Sequence, residues 1–288
     1  MVVLVTGGSG FIGSHIIDKL IEYNHTVRVL DKKKPLRDDL QFVQGSITDK
    51  EAISFAMKDV DVIYHLAAAS NIDLVKDNPS QTIEYNVLAT AYLLDEARIK
   101  KIKRFILASS VMVYEMKGHI YTFSKYASEQ LCINFQLLYD LPFTILRIGT
   151  VYGPRNRRAD VVSIFIENAL RKNDLYINGT GEQTRNFIYV EDLADGAISA
   201  LSVKAKNKIL TLAGLQSIRI YDLAKIIYEI FDYKINIKFD HGKQRQDDYK
   251  GKITGIDETF KILKWQPKVD LKEGIQKTID WYNNSINF

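Results

Sequence analysis

Apolar residues in the first half of the chain follow two spacings that alternate along the sequence. Short continuous apolar runs predict buried strands, and apolar positions three or four residues apart predict helices that bury one face. The predicted strands cover residues 1–5, 26–30, 41–44, 60–66, 104–108 and 143–147. The predicted helices cover residues 14–23, 50–57, a long stretch after Pro79, and 121–139. Because strands and helices alternate through residue 150, the pattern predicts an α/β fold with a doubly wound parallel sheet of the Rossmann type.

The second half of the chain is less regular. Its apolar spacing predicts helices at 159–171, 190–202, 220–231, 256–263 and 271–282, with one strand at 209–212. We therefore expect a first domain formed by residues 1–150, to which residues 188–212 return, and a smaller C-terminal lobe formed by residues 151–288. Because ligands of open α/β sheets bind at the carboxyl ends of the strands, we expect this lobe to bind the substrate.

A glycine-rich turn joins the first predicted strand to the first predicted helix. The sequence there is Thr6-Gly7-Gly8-Ser9-Gly10-Phe11-Ile12-Gly13, in which Gly7, Gly10 and Gly13 fit the spacing G-x-x-G-x-x-G. In dinucleotide-binding folds the first glycine permits a tight turn, the second lets the backbone approach a pyrophosphate, and the third lets the helix close onto the strand. The N–H groups at the start of such a helix face the phosphate charge. The turn therefore predicts a dinucleotide site.

An acidic residue at the end of the second predicted strand indicates which dinucleotide this is. Asp31 lies eighteen residues after Gly13. A carboxylate at this place accepts hydrogen bonds from the adenosine ribose and repels a 2′-phosphate, so Asp31 favours NAD over NADP. Lys32, Lys33 and Lys34 follow directly and could soften that preference, although a run of lysines is commonly a solvated turn.

Composition restricts the class of protein. The 288 residues carry a net charge of +4, from 39 basic and 35 acidic residues, so charge gives no reason to expect a nucleic-acid partner. No signal sequence precedes the first strand and no apolar run reaches spanning length, so we expect no membrane association. The single cysteine, Cys132, excludes an internal disulfide and favours a reducing, cytoplasmic location. The five histidines are scattered, and we predict no metal site.

Residues suited to proton transfer follow the fifth predicted strand. The dipeptide Ser109-Ser110 ends that strand, and Tyr121 and Lys125 lie one turn apart on the next helix. An ammonium group beside a phenol favours the phenolate and lowers the phenol pKa, and a serine hydroxyl can hydrogen-bond the oxygen that gains or loses the proton. The same spacing recurs at Tyr221 and Lys225, which we interpret as structural because no strand-end serine precedes that pair.

Further sequence motifs accompany these residues. They are His65-Leu66-Ala67-Ala68, Asn86-Val87, Val113-Tyr114, Leu146-Arg147, Val151-Tyr152-Gly153-Pro154-Arg155, Arg185-Asn186-Phe187-Ile188-Tyr189-Val190-Glu191-Asp192 and Leu263-Lys264-Trp265-Gln266-Pro267. With them the chain resembles, nearly from end to end, the extended short-chain dehydrogenases/reductases of the nucleotide-sugar epimerase and dehydratase family. The resemblance implies an NAD-dependent enzyme whose substrate is a nucleotide-diphospho-sugar.

The resemblance also implies roles for individual residues. Ser110 matches the catalytic Ser or Thr of the family, Tyr121 its general acid and base, and Lys125 the residue that holds the nicotinamide ribose. The glycine turn, Asp31 and the resemblance together place the following residues at NAD, besides Tyr121 and Lys125: Gly7, Gly10, Phe11, Ile12, Gly13, Asp31, Ser46, Ile47, Leu66, Ala67, Ala68 and Asn86. The residues implied at the substrate are Thr150, Arg185, Arg245 and Asp248. Guanidinium groups suit a diphosphate because they can bind it in a bidentate manner.

Four features of the sequence depart from the family pattern. Ser46 replaces the usual Asp of the adenine site, and Thr150 replaces the usual Asn of the substrate site. Val111-Met112 replaces the Asp-Glu pair of dehydratases and cannot exchange protons, so we do not expect sugar 4,6-dehydration. Only six residues separate Tyr114 from Tyr121, far fewer than in the family, so we expect a more open pocket or a different substrate.

Residues and resemblance together predict NAD-dependent epimerisation of a UDP- or dTDP-hexose at C4, through a transient 4-keto intermediate. Two alternatives stay open. A nucleotide-sugar 4-ketoreductase would use the same three side chains in one direction, and the shortened segment before Tyr121 favours it. A non-catalytic protein that binds NAD or a nucleotide sugar would have no use for the intact set of Ser110, Tyr121 and Lys125. The resemblance also implies a homodimer packed through the helices around residues 81–99 and 121–139.

Overall fold

A computed structural model describes residues 1–115, 119–156, 160–232, 234–240 and 253–285 of the chain. The strands are β1 Val2–Thr6, β2 Thr26–Asp31, β3 Gln41–Gln44, β4 Val62–His65, β5 Arg104–Ser110, β6 Phe143–Ile148, β7 Thr150–Tyr152, β8 Leu175–Asn178, β9 Thr184–Arg185, β10 Phe187–Tyr189, β11 Lys208–Leu212, β12 Ile218–Arg219 and β13 Ile237–Asp240. The α-helices are α1 Phe11–Glu22, α2 Lys50–Ala56, α3 Ile72–Asp77, α4 Pro79–Ile83, α5 Ala89–Ile99, α6 Ile120–Tyr139, α7 Val161–Leu170, α8 Val190–Ser199, α9 Ile220–Ile230, α10 Ile256–Leu263 and α11 Leu271–Ser285. A π-helical turn covers Glu84–Leu88, and 3₁₀ turns cover Val111–Tyr114 and Val203–Ala205.

Seven strands form one sheet in the order β11-β6-β5-β4-β1-β2-β3. Every neighbouring pair in it is parallel, which confirms the predicted α/β fold with a doubly wound parallel sheet. The chain moves outward from β1 to β3 and then crosses back to β4 on the other side of β1. The strand order therefore reverses between β1 and β4, and ligands of open α/β sheets bind at the carboxyl ends of such strands.

One face of this sheet packs against α2, α5 and α6. The strand residues Leu4, Ile63, Phe105 and Ile145 are fully buried in this core, where they meet helix residues such as Leu93. Burying one such side chain contributes about 1.5–3 kcal/mol. Because the central strands are covered on both faces, they appear in the sequence as continuous apolar runs rather than as alternating patterns.

The chain divides into two compact units. The first contains the described residues of 1–148, 194–212 and 253–265, and the second contains those of 149–193, 213–240 and 266–285. The apolar spacing places residues 253–265 with the C-terminal lobe, whereas in the structure α10 packs on β11 of the first unit. There the Thr211 N–H donates to Thr259 Oγ1 at 2.8 Å. Apolar spacing reports local structure, so it does not indicate such a distant contact.

The second unit has its own core, formed by α7, α9, α11 and pairs of short strands. Strand β7 pairs with β10 and β8 with β13 in parallel, and β9 pairs with β12 in antiparallel orientation. These strands are two to four residues long, too short for a period-2 pattern, so the sequence does not predict them. A Cβ at Gly274 would lie 2.1 Å from Tyr152 Oη, so glycine is needed there to bury the tyrosine.

The strands and helices predicted in the first half all occur, with ends displaced by up to three residues. Helix α1 begins at Phe11, earlier than its apolar spacing indicates, because the glycine turn leads straight into it. The stretch after Pro79 is helical through Ile99 but includes the π-helical turn Glu84–Leu88, which the apolar spacing does not indicate. None of the helices in the described parts of the chain combines the length and the apolar character needed to cross a bilayer.

Candidate active site

The glycine turn after β1 leaves no room for side chains. Gly7 has a φ of +73°, which glycine adopts without strain, and a Cβ there would lie 2.7 Å from Ala67 N. A Cβ at Gly13 would lie 2.4 Å from Gly7 O, so α1 starts in direct contact with the turn. The glycines therefore let the turn, the start of α1 and the segment after β4 pack backbone against backbone at the carboxyl edge of the sheet.

The first turn of α1 presents backbone N–H groups at this edge. Gly10 precedes the helix and has no side chain to bond these groups, and Phe11, Ile12 and Gly13 form the first turn. The first N–H groups of a helix have no partner within it, and the helix dipole adds partial positive charge. The arrangement suits a phosphate or a pyrophosphate.

Asp31 ends β2 beside the glycine turn. Its carboxylate accepts hydrogen bonds from the backbone N–H groups of Ser9 and Lys33, both at 3.0 Å. Its main-chain carbonyl accepts one from Gly45 N at 3.1 Å, which brings the segment after β3 to the same place. A carboxylate oxygen can accept more than one hydrogen bond, so these contacts leave capacity for ribose hydroxyls.

The segment after β3 contains the two residues expected at adenine. Ser46 Oγ is 2.8 Å from Thr48 Oγ1, so its hydroxyl closes a local turn. Ile47 is buried and its side chain belongs to the core of the first unit. Both residues lie next to Asp31 through Gly45, at the end of the sheet where β2 and β3 stop.

The run Leu66-Ala67-Ala68 follows β4 and lies along the end of β1. The Leu66 N–H donates to Thr6 O at 3.1 Å, and the Ala67 N–H donates to Thr6 Oγ1 at 3.4 Å. Because Ala67 also lies against Gly7, this run borders the glycine turn. The structure thus places residues from four separate sequence segments around the ends of β1, β2 and β4.

His65 is a structural residue of this region that the sequence leaves without a role. Its Nδ1 is 2.8 Å from Thr6 Oγ1 and its Nε2 is 3.0 Å from Thr90 Oγ1. Burial lowers the pKa of His65 to about 3, so the ring is neutral. It therefore joins the ends of β1 and β4 to α5 without adding charge.

Asn86 holds the loop after β4 against α6. It is 2% exposed, and its Oδ1 accepts a hydrogen bond from Ala69 N at 2.7 Å. Its Nδ2 donates to Ala69 O at 3.0 Å and to Ser124 Oγ at 2.9 Å. With both donors of the amide used, the side chain fixes the loop after β4 rather than offering donors of its own.

Strand β5 and helix α6 bring Ser110, Tyr121 and Lys125 together. Ser110 is the last residue of β5, and its hydroxyl lies near enough to Tyr121, at the start of α6, to influence the pKa of the phenol. Lys125 Nζ donates to Ala108 O at 2.8 Å and lies 5.9 Å from the centroid of the Tyr121 ring. Ser110 and Lys125 are buried, and Tyr121 is partly buried. The three side chains predicted to be catalytic therefore form one cluster.

Burial dominates the pKa values of this cluster. It raises the pKa of Tyr121 to about 12, and the neighbouring Ser110 hydroxyl acts in the opposite direction. It lowers the pKa of Lys125 to about 8, and the negative charge of Glu129 partly offsets that effect. The direction for Tyr121 is opposite to the lowering that the sequence predicts. The reason is that burial removes water from the phenol, which raises its pKa more than the nearby Lys125 charge lowers it. The Lys125 ammonium donates its hydrogen bond to the Ala108 carbonyl instead of to the phenol.

Glu129 supports this cluster and is also missed by the sequence-based prediction. It is fully buried, one turn after Lys125 on α6. Its carboxylate accepts hydrogen bonds from Ser109 Oγ at 2.5 Å, from Arg147 Nε at 3.0 Å and from Arg147 Nη2 at 2.7 Å. The contacts tie β5, β6 and α6 together and satisfy a charge that would otherwise be costly to bury. The available signal is its i+4 spacing from Lys125, which puts both on one helix face.

Two of the four residues expected at the substrate lie in the described part of the second unit. The Thr150 N–H, at the start of β7, donates to Asn186 O at 3.3 Å. Arg185 immediately precedes Asn186, and its Nη1 donates to the carbonyl of the preceding residue at 2.8 Å. The structure thus brings Thr150 and Arg185 onto neighbouring segments. Arg245 and Asp248 lie outside the described residues.

The residues of the first unit fit a dinucleotide. The glycine turn brings the start of α1 close to the end of β1, the α1 N-terminus suits a pyrophosphate, and Asp31 suits ribose hydroxyls. Ionisable side chains capable of proton transfer lie at the end of β5 in the same sheet. Fold and site together define an α/β enzyme of the dinucleotide-dependent class.

Comparison with known families narrows this class. Residues 3–213 match the model of the NAD dependent epimerase/dehydratase family. The chain belongs to this family and is an NAD-dependent enzyme of the nucleotide-sugar epimerase/dehydratase type.

Individual relatives resemble the chain over nearly its full length. A Methanocaldococcus jannaschii protein, provisionally named UDP-glucose 4-epimerase, is 35% identical over 98% of this chain and 99% of its own. The fold resembles the crystal structure of UDP-glucose 4-epimerase with UDP-glucose from Thermotoga maritima, with a TM-score of 0.94 over 100% of both chains. The two sequences are 29% identical. The UDP-glucuronic acid 4-epimerase of Bacillus cereus, in complex with UDP-glucuronic acid and NAD, is 27% identical, with a TM-score of 0.91 over 99% of both chains.

Other relatives are named for different reactions. They include UDP-glucuronic acid decarboxylases and dTDP-D-glucose 4,6-dehydratases. The family is therefore established, and the particular reaction has to be argued from the residues of the site.

Proposed function

We propose that this enzyme epimerises a UDP- or dTDP-hexose at C4 through a transient 4-keto intermediate. The observation that carries the proposal is the cluster of Ser110, Tyr121 and Lys125 at the end of β5. It occurs in a chain that is similar over its whole length to proteins named as UDP-sugar 4-epimerases. The pair Val111-Met112 offers no acid or base beside Ser110, which argues against 4,6-dehydration.

The first unit would hold the cofactor. Backbone groups of the glycine turn, at Gly7, Gly10, Phe11, Ile12 and Gly13, would face the pyrophosphate, and Asp31 would accept hydrogen bonds from the adenosine ribose. The segments around the adenine and nicotinamide would be Ser46-Ile47 and Leu66-Ala67-Ala68, with Asn86 holding the latter. When bound, NAD takes up a hydride from the sugar and returns it.

The side chains after β5 would move the proton. Tyr121 would take the proton of the sugar 4-hydroxyl as that group becomes a carbonyl, and would return it afterwards. Ser110, whose hydroxyl lies near the Tyr121 phenol, would donate to the same sugar oxygen. Lys125 donates one of its three N–H groups to Ala108 O, and the other two would donate to the nicotinamide ribose. Its charge would also stabilise the Tyr121 phenolate, which burial alone disfavours.

The second unit would bind the nucleotide diphosphate of the substrate. Arg185 and Arg245 would contact the phosphates through their guanidinium groups, Asp248 would assist, and Thr150 would take the place of the usual asparagine. We accordingly assign NAD binding to residues 1–150 with the returning segment, and substrate binding to the lobe formed from residues 151–288.

A 4-ketoreductase is the second candidate, favoured by one feature of the chain. The segment between Tyr114 and Tyr121 has only six residues, which leaves less chain to cover the sugar and shield a transient ketone. A reductase releases its product after one hydride transfer and has less need of that cover. A silent binding protein is disfavoured, because burial shifts the pKa values of both Tyr121 and Lys125, as is typical of functional sites.

The reaction can be tested with purified protein and no added reductant. UDP- and dTDP-hexoses are incubated with the protein and NAD, products are followed by NMR, and reduced nicotinamide is followed by its absorbance. An epimerase converts each member of a C4 pair into the other without net change in that absorbance. In a second assay, NADH is added together with a 4-keto sugar. Stoichiometric consumption of that NADH, and no epimer from any 4-hydroxy sugar in the first assay, would support the reductase. Release of carbon dioxide from a UDP-uronic acid would assign the decarboxylase reaction instead.

We also propose a homodimer that packs through the helices around residues 81–99 and 121–139. Phe123, Tyr126 and Leu137 repeat along one side of α6 and are exposed, as is Leu88 just before α5. Sedimentation analysis checks this proposal, and Phe123→Glu should shift the protein to the monomer.

We further propose that the protein is located in the cytoplasm. The thiol of Cys132 is buried and forms no disulfide, which suits a reducing compartment.

A further inference from the structure

The three lysines after Asp31 are not equally available in the structure. Lys32 Nζ lies 2.5 Å from Tyr85 Oη and 4.3 Å from the centroid of the same ring. Lys34 Nζ lies 2.7 Å from a carboxylate oxygen of Asp38. The contacts of Lys33 are made by its backbone: its N–H donates a hydrogen bond to Asp31 Oδ1, and its carbonyl accepts one from the Ser9 hydroxyl. The ammonium group nearest along the chain to Asp31 is therefore the one held by Tyr85.

Tyr85 is a fixed acceptor rather than a mobile surface residue. It lies in the π-helical turn Glu84–Leu88 and packs partly buried against the core of the first unit. The next residue, Asn86, makes three side-chain hydrogen bonds that hold this turn to Ala69 and Ser124. Its phenol and ring face therefore offer Lys32 both a hydrogen bond and a cation–π contact in a defined place.

We propose that Tyr85 is a cofactor-specificity residue, which withholds Lys32 from the 2′-phosphate of NADP. The inference rests on the proposed placement of the adenosine ribose at Asp31. A 2′-phosphate at that ribose would gain most from an adjacent ammonium group, since it carries negative charge that Asp31 repels. To provide that contact, Lys32 must first give up Tyr85. Discrimination against NADP then comes from the repulsion by Asp31 and from the occupation of Lys32.

The inference predicts a change in relative affinity for two dinucleotides. Binding of NAD and of NADP is measured by titration calorimetry for the wild type, Tyr85→Phe and Tyr85→Leu. Tyr85→Leu should tighten NADP relative to NAD by about two- to fivefold, the size expected for one freed surface charge. Tyr85→Phe keeps the ring and should give a smaller gain. Raising the salt concentration should shrink the gain, because it screens a lysine–phosphate contact.

Tyr92 provides a matched control. Lys50 Nζ lies 4.3 Å from the centroid of its ring, and Tyr92 packs against the same core. Lys50 does not belong to the run after Asp31, so Tyr92→Leu should leave the NADP-to-NAD ratio unchanged. Adding Lys32→Met to Tyr85→Leu should return the ratio to the wild-type value.

Several results would overturn the inference. They are an unchanged ratio in both Tyr85 variants, a gain that persists after Lys32→Met, and an equal gain from Tyr92→Leu. The variant Asp31→Ala shows whether the role of Tyr85 alone is wrong or whether the proposed placement of the adenosine ribose at Asp31 is wrong as well. If Asp31→Ala narrows the gap between NAD and NADP while the Tyr85 variants do nothing, only the role of Tyr85 is lost. If Asp31→Ala also leaves the gap unchanged, the placement of the ribose fails, and the inference fails with it.

Discussion

The turn after β1 and the segment after β5 lie at the same edge of one parallel sheet, yet they are built from different atoms. The first consists of backbone, with glycines where a Cβ at Gly7 or Gly13 would meet main-chain atoms at 2.7 Å or less. The second consists of ionisable side chains, the buried Lys125 and Glu129 and the partly buried Tyr121, with hydrogen bonds and an ion pair that hold Lys125 and Glu129 in place. The turn should therefore be sensitive to added volume, and the segment with Tyr121, Lys125 and Glu129 to altered charge and lost hydroxyl groups.

The largest effect is expected at Tyr121. Tyr121→Phe removes the hydroxyl that we propose transfers the proton, and it keeps the ring. Turnover should therefore fall by at least about 10²–10⁴-fold, while NAD affinity and the unfolding temperature stay near those of the wild type. Steady-state rates, NAD titration and thermal unfolding check the three quantities. Tyr221→Phe is the control, because Tyr221 stacks on Phe239 at 6.0 Å in the second unit, and its turnover should be unchanged. A Tyr121→Phe enzyme within a few-fold of the wild-type rate would place the acid and base elsewhere.

Glu129 should dominate the stability of the same segment. Glu129→Gln leaves Arg147 without its buried counter-charge, and breaking such a pair costs about 3–5 kcal/mol in the free energy of unfolding. Denaturant unfolding measures the loss. Glu96→Gln removes a carboxylate whose partners, Ser54 and Lys100, lie on a more exposed helix face, so it should cost under about 1 kcal/mol. Equal losses in the two variants would mean that Glu129 is no more than a surface charge in energetic terms.

Lys125 links this segment to pH. Burial lowers the pKa of Lys125 from 10.5 to about 8 in the folded protein. Between these values the unfolded chain binds more protons than the folded one, so this group makes stability rise with pH across the interval. Lys125→Met removes that dependence. We consider the free energy of unfolding of Lys125→Met minus that of the wild type. This difference should be largest below pH 8 and should decrease by roughly 3 kcal/mol as the pH rises to 10.5.

Denaturant unfolding at several pH values measures the difference for Lys125→Met. Lys204→Met is the control for the loss of a lysine at an exposed position. A flat difference for Lys125→Met would show that the ammonium keeps its ordinary pKa in the folded state.

The two regions also differ in how far the sequence predicts them. The glycine turn, Asp31 and the Tyr121–Lys125 pair are local patterns, and each can be found because its spacing alone has a physical meaning. The contacts of Glu129 with Ser109 and Arg147 join residues 20 and 18 positions apart, and no local pattern reports them. The same limit applies to His65 between Thr6 and Thr90, and to α10 on β11. The direction of the Tyr121 pKa shift could not be predicted either, since it depends on burial.

The smallest and most selective effect should come from the glycine turn. Alanine favours a helix over glycine by about 1 kcal/mol, so Gly13→Ala, inside α1, would stabilise an isolated helix. In the folded protein its Cβ would lie 2.4 Å from Gly7 O and 2.8 Å from Gly8 Cα, so α1 has to move away from the turn. Such overpacking costs about 1–3 kcal/mol and should also weaken NAD binding, because the N–H groups of α1 move with the helix.

Gly10→Ala separates the fold from the cofactor site. A Cβ there would meet one atom, Gly7 O, at 3.1 Å, so the ligand-free protein should unfold within about 0.5 kcal/mol of the wild type. The methyl group would nevertheless stand where the backbone is expected to approach the pyrophosphate, and NAD should bind more weakly. Gly13→Ala should thus lower both the stability of the cofactor-free protein and the affinity for NAD. Gly10→Ala should lower only the affinity for NAD. If Gly10→Ala binds NAD as tightly as the wild type, the pyrophosphate does not lie against this turn.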